Sequence, residues 1–110
     1  MINKVILVGN VGQDPEIRYT GDVNNGSKVA TIRLATTERY RDRNNNLQEH
    51  TEWHNVVVWQ DKSSVDLSKV EKGSKVRVVG RLRQMKYTDT NGMEKIYYEI
   101  LASEFQLIEE

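Results

Sequence analysis

Asp61-Lys62-Ser63-Ser64-Val65-Asp66-Leu67-Ser68-Lys69-Val70 is the one stretch of this chain that breaks a β-strand rhythm. Apolar and polar residues do not alternate in it. Ser63 and Ser64 stand as caps before Val65, Leu67 and Val70, so a short helix is expected here. Three strand candidates precede it. Val5-Ile6-Leu7-Val8 reads as a buried run, residues 29–37 alternate in polarity, and residues 51–59 are rich in valine and tryptophan. Two follow it, at 76–82 and 95–101, and Phe105-Gln106-Leu107-Ile108 qualifies as a sixth. Asn91-Gly92 between two β-prone runs is the strongest hairpin signal in the chain. Five strands with a helix between the third and fourth fit an all-β, five-stranded OB-fold Greek-key barrel. The same propensities also permit an SH3-like barrel or a small sandwich.

Outward from that pattern, length and composition set bounds. A chain of 110 residues predicts a single domain spanning 1–110. A chain this size buries roughly 65% of its unfolded surface, enough for one small core. With 37% hydrophobic and 29% charged residues and a mean hydropathy of −0.68, the balance is that of a folded chain. No run approaches the ~18 apolar residues of a membrane span, so no membrane partner is expected. The N-terminal apolar stretch is too short for a secretion signal, which makes a cytoplasmic address the default. Asn25-Gly26-Ser27 then reads as a turn, not a glycosylation site. Net charge is zero, from 16 basic and 16 acidic residues, but the charge is unevenly spread. Residues 72–88 hold six basic side chains and no acid, whereas residues 93–110 hold five acids and one lysine.

Catalytic readings fail early. The absence of cysteine excludes a disulfide scaffold, a thiol nucleophile and Cys-ligated metals. On a strand, His50 and His54 would share a face but lie ~13 Å apart, too far for one ion. No metal or cofactor is expected. Gly9-Asn10-Val11-Gly12 reads as a turn after the first strand, not a phosphate loop. No carboxylate pair is placed together, and no enzyme is expected.

The aromatics carry more information. Tyr40 lies within Glu38-Arg39-Tyr40-Arg41-Asp42-Arg43, and Tyr87 within Arg83-Gln84-Met85-Lys86-Tyr87-Thr88-Asp89. A large ring in a charged hairpin arm suits stacking on unpaired bases, with lysine and arginine beside it holding phosphates. Packing is the commoner fate of a strand tyrosine, and a solvated face the commoner fate of a strand arginine. Trp53 and Trp59 share one face of their strand, although parity alone does not say which face is the core. Tyr97 and Tyr98 point opposite ways, so at least one is expected in the core. Arg77, Arg81 and Arg83 share parity unless a bulge at Gly80 shifts it. Three cations on one strand face, beside aromatics, favour a polyanion.

Four segments, in order, then carry a resemblance. They are residues 3–19, which begin Asn3-Lys4-Val5-Ile6-Leu7-Val8-Gly9-Asn10; Leu34-Ala35-Thr36-Thr37; residues 51–59; and Lys72-Gly73-Ser74-Lys75-Val76. With them the chain resembles the bacterial single-stranded DNA-binding protein family from Asn3 to about Ile108. The resemblance implies an OB-fold that assembles as a homotetramer and binds single-stranded DNA with little sequence preference, in replication, recombination and repair. Its base-stacking aromatics fall on Tyr40, Trp53, Trp59 and Tyr87. Tyr40 and Tyr87 stand where tryptophan is common, and Trp59 where phenylalanine is common. Phosphate contacts are expected from Lys4, Arg18, Arg41, Lys62, Lys72, Arg81, Arg83 and Lys86, joined by Arg33. His54 matches a position that supports subunit contacts. The N-terminal strand, with Val5 and Leu7, would pair between subunits. A nucleoid-associated cytoplasmic location follows.

Family members usually continue into a flexible tail with an acidic tip that recruits replication and repair enzymes. This sequence stops at Glu110, and Glu109-Glu110 is too short for that tip, so such partners are expected only if a tail extends beyond residue 110. A second reading is an OB-fold accessory subunit of a primosome or recombination complex, acting through protein contacts. A third is an RNA-binding OB-fold, and a hydrolase is the weakest.

Overall fold

Alternating and β-branched runs become long strands. The computed structural model describes residues 1–21, 26–60 and 66–109. In it, β1 spans Val5–Val11, β2 Glu16–Thr20, β3 Ser27–Arg41, β4 Leu47–Trp59, β5 Lys75–Thr88 and β6 Glu94–Ile108. Along β3 the even positions Ala30, Ile32 and Leu34 turn inward and are buried. Cross-strand pairing of Ile32 with Val56 and Ala30 with Val58 extends the same face onto β4. This resolves the parity of β4: its even positions enter the core, and Trp53 and Trp59 lie on the other side.

The strands close into a barrel. β1 pairs antiparallel with β5 from Val5↔Gly80 to Asn10↔Lys75, and with β3 at Asn10↔Ala35 and Val11↔Leu34. β4 meets β6 in parallel at Val56↔Ile100 and Val57↔Leu101. The circuit β1-β3-β4-β6-β5 is the five-stranded OB-type barrel expected from the sequence, with β2 added along β3. Val56, Val58, Val76, Val78, Ile32, Leu34 and Phe105 fill it. Each such aliphatic or aromatic side chain contributes about 1.5–3 kcal/mol on burial.

Three local readings change. The expected fifth and sixth strands are one strand, β6, and Ser103 is the extra residue between Val79↔Glu104 and Gly80↔Ala102. The bulge anticipated at Gly80 thus falls at that level but bends β6. Gly80 lets the strands approach there, since a Cβ would collide with the Leu101 carbonyl. β2 was not anticipated, because Glu-Ile-Arg-Tyr-Thr is too polar and short to stand out. The helix expected after β4 is a single 3-10 turn, Leu67–Lys69, in the described residues, capped by Asp66, whose Oδ1 accepts from the Ser68 amide. Ser63 and Ser64, the expected caps, lie outside the described residues. Leu67 and Val70 of this segment join the core. Among the described residues no helix is long and apolar enough to cross a membrane.

Candidate functional site

β3–β4 and β5–β6 run past the barrel as two hairpin arms, and three of the four expected rings, Tyr40, Trp53 and Tyr87, sit on them or at their roots. Trp53 lies opposite Ala35 at the root of the first arm and is 50% exposed. The Arg33 guanidinium lies 5.4 Å from the centroid of its ring, and Arg33 Nη1 donates to Asn55 Oδ1 at 3.1 Å. A cation held over an exposed indole contributes about 0.5–1 kcal/mol. Gly12 lies under the same ring, so any Cβ there would strike the indole. The glycine read as a turn residue is therefore also the clearance that seats Trp53. Its amide donates to the Arg33 carbonyl at 2.8 Å, which ties the end of β1 to this place.

Tyr40 is 52% exposed near the tip of the first arm. Its register partner Gln48 and the alternation along β3 put it in the set of Thr36 and His54, whereas Trp53 belongs to the set of Arg33 and Asn55. The two rings thus occupy opposite faces of the ribbon. Trp59 is partly exposed at the far end of β4, six residues and about 20 Å from Trp53. Tyr87 is 50% exposed on the second arm. None of the four is sealed in the barrel, and they line separate stretches of surface rather than one plane.

Beside Tyr87 the structure sets a second ring, to which the sequence alone assigns no role. Tyr97 packs against Tyr87 with centroids 5.8 Å apart and planes tilted by 58°. Both Tyr97 and Tyr98 are exposed, at 40% and 56%. The expectation that one of them enters the core fails because this part of β6 has left the barrel. Folding the chain about the Asn91-Gly92 turn would have revealed the pair, since Tyr87 then opposes Lys95 and Tyr97 follows two residues on.

The expected cations divide by their partners. Arg83 is ion-paired with Glu99, Arg77 with Glu104 at 3.4 Å, and Lys86 with Glu94 at 3.7 Å. The three-cation face on β5 is thus largely neutralised, and only Arg81 of the three lacks an acidic partner among the described residues. Arg83 Nε is buried without a hydrogen-bond partner. Arg81 and Lys4 line an open hollow of about 380 Å³ with Asn3, Ser103 and Glu104. Arg41 Nη1 donates to the Asn45 carbonyl at 3.1 Å. Arg18 and Lys72 are exposed, and the Lys72 amide donates to Asp14 Oδ1 at 2.8 Å. Lys62 lies outside the described residues.

The expected interface residues also separate. Val5 and Leu7 turn inward and pack against the core, so they do not form the outer face of β1. Alternation leaves Ile6 and Val8 outward and exposed. His54 faces inward and is bonded to Thr36, with Thr36 Oγ1 and His54 Nε2 2.8 Å apart. Burial holds its pKa below the ordinary 6.5, and nearby Glu52 opposes the shift.

A model of the single-strand binding protein family matches residues 2–108. The chain belongs to this family. Its relatives include the single-stranded DNA-binding proteins of Xanthomonas axonopodis pv. citri and Neisseria meningitidis, which are 45% and 37% identical over 107 residues. The matches cover 97% of this chain and 58% and 60% of those proteins, so the chain spans about three fifths of their length. Among solved structures, the Plasmodium falciparum SSB in complex with ssDNA superposes with a TM-score of 0.79 at 36% identity. That match covers 99% of this chain and 96% of the other. The family therefore agrees with the barrel reached from the strand circuit.

Proposed function

We propose that residues 1–110 form one domain that binds single-stranded DNA without strong sequence preference, protects it in replication, recombination and repair, and catalyses no reaction. The observation that carries this is the set of half-exposed rings Tyr40, Trp53 and Tyr87 on arms that leave the barrel, with Trp59 partly open on the same strand as Trp53. Every base has a π-face, and proteins of this class gain about 1–3 kcal/mol for each base stacked on an aromatic ring. A duplex hides those faces, so the surface selects unpaired strands. Phosphate contacts come from Lys4, Arg18, Arg33, Arg41, Lys62, Lys72 and Arg81, while Arg83 and Lys86 contribute less because Glu99 and Glu94 pair with them.

Titration with oligo-dT, read by tryptophan fluorescence, tests this. Quenching by the oligonucleotide and none by duplex DNA is expected. Affinity should fall log-linearly with salt, with a slope of about −0.7 for each phosphate neutralised. Unchanged emission at micromolar oligo-dT overturns the reading and favours the accessory-subunit alternative. Tighter binding to oligo-U than to oligo-dT would favour RNA.

The protein works as a homo-oligomer, most simply a homotetramer, in the cytoplasm on the nucleoid. Support comes from β1, whose residues Val5 to Gly9 pair with β5 on one edge and have no strand partner on the other among the described residues. Such an edge with Ile6 and Val8 exposed invites another strand. Mass measured by light scattering with and without oligo-dT should give four copies, and a monomer at every concentration overturns assembly.

A further inference from the structure

We propose that Tyr97 is a fifth base-stacking residue, and that Tyr87 and Tyr97 together receive two successive unpaired bases and splay them apart. The inference rests on the single-stranded DNA reading above and adds a subsite to it. Cross-strand register sets Tyr97 opposite Met85 and Tyr87 opposite Lys95, so both rings stand on the same face of the β5–β6 arm. Their centroids are 5.8 Å apart. A flat base inserted between two rings would need about 7–8 Å, twice the contact distance of carbon atoms. The gap is too narrow for that, so each ring offers its outer face instead.

The tilt then decides the ligand's shape. Two bases that remain stacked on each other are parallel, but the ring planes differ by 58°. A base lying on each ring must part from its neighbour, and the backbone must bend between them. Lys95 stands on this face beside Tyr87 and has no acidic partner among the described residues, so its ammonium is free for the phosphate at the bend. The arm has left the barrel, so Tyr97 fills no core there. Its 40% exposure leaves ring surface for a ligand.

The test uses the full chain, oligo-dT, and the variants Tyr97→Leu, Tyr97→Thr and Tyr97→Phe, alone and combined with Tyr87→Ala. Tyr97→Leu and Tyr97→Thr keep a strand-compatible side chain, and thermal unfolding verifies that each variant folds. Loss of one stacked base should weaken binding about fivefold or more, while Tyr97→Phe binds like wild type. The weakening should persist when Tyr87 is already alanine. The exciton circular dichroism of two adjacent 2-aminopurines, which reports base–base stacking alone, should be lost on wild type and retained on Tyr97→Leu; its retention on wild type overturns the splaying. Wild-type affinity in both folded variants overturns the inference, and so does an effect that vanishes in the Tyr87→Ala background, which would make Tyr97 a buttress. Failure of the wild-type protein to bind oligo-dT defeats the functional reading itself, a separate result.

Discussion

The two arms are closed by the same turn and yet carry different surfaces. In the first, Asp42 Oδ1 accepts from the amides of Asn44 and Asn46, and Asn45 adopts a φ of 62°. In the second, Asp89 Oδ1 accepts from the amides of Asn91 and Met93, and Gly92 adopts a φ of 79°. In both, the aspartate amide also donates to the carbonyl four residues on. Above these turns the arms diverge. The first is laced by polar pairs, Thr37 with Thr51 at 3.0 Å and Arg39 with Glu49 at 3.2 Å, and carries Tyr40 alone near its tip. The second carries Tyr87, Tyr97 and Tyr98. A shared turn fixes register and reach, while cross-strand residues decide what the arm can hold.

The largest expected effects lie at the roots and on the aromatic arm. Trp53→Ala and Tyr87→Ala should each weaken oligo-dT binding by about 1–3 kcal/mol without unfolding the barrel. Gly12→Leu should approach the loss of Trp53→Ala, because its side chain must displace the indole. Fluorescence titration of all three sharpens the comparison, and wild-type affinity in Gly12→Leu would break the assigned seating of Trp53. Next come the turns. Gly92→Ala puts a Cβ in the left-handed region and should cost about 1–2 kcal/mol of stability in thermal unfolding. Asn45→Gly, which removes a Cβ from the matching position, should cost nothing measurable. Equal losses would show that the turns are not equivalent. Tyr40→Ala should weaken binding by about 1 kcal/mol, the low end of the stacking range, since this ring lacks the seating that Gly12 and Arg33 give Trp53. A loss greater than that of Tyr87→Ala would reverse the ranking of the arms.

The smallest effects concern pH. The Asn46 and Asn44 amides and the Gln48 side chain hold the Asp42 carboxyl below the ordinary 3.8. Its contribution is therefore present above that value and lost as pH falls through the lower folded value. Amide exchange at Asn44 and Asn46 should quicken relative to the barrel in strong acid. His54 behaves in the corresponding way at higher pH. Folding lowers its pKa, so the unfolded chain takes up the proton first, and stability falls as pH drops below about 6.5. Thermal midpoints between pH 7 and 5 should decline less in His54→Gln than in wild type.

Much of this was legible in the residues, and the misreadings share a cause. Alternation in β3 and the Asn91-Gly92 signal located strands and a hairpin because those patterns are local. The faces of β4 stayed ambiguous, since His54 on one side and Asn55 on the other leave neither purely apolar. Tyr97 and Tyr98 were expected to divide between core and solvent, which assumes that every strand stays in the barrel along its whole length. On β1 no local pattern says that the side chains of Val5 and Leu7 pack against the core while Ile6 and Val8 face outward. The cations of β5 meet acids of β6, Glu99 with Arg83 and Glu104 with Arg77, which lie too far along the chain for a local charge pattern to pair them.

By itself the sequence determined the strands, the sharp turns and the family, because propensity, period-two alternation and motif order act over a few residues at a time. Only the tertiary structure decided which rings stand clear of the barrel, that Gly12 seats Trp53, that Tyr97 leans on Tyr87, and which arginines keep a free charge. Those properties depend on side chains from strands far apart in the chain, and pairing distant strands is a global outcome of closing the barrel.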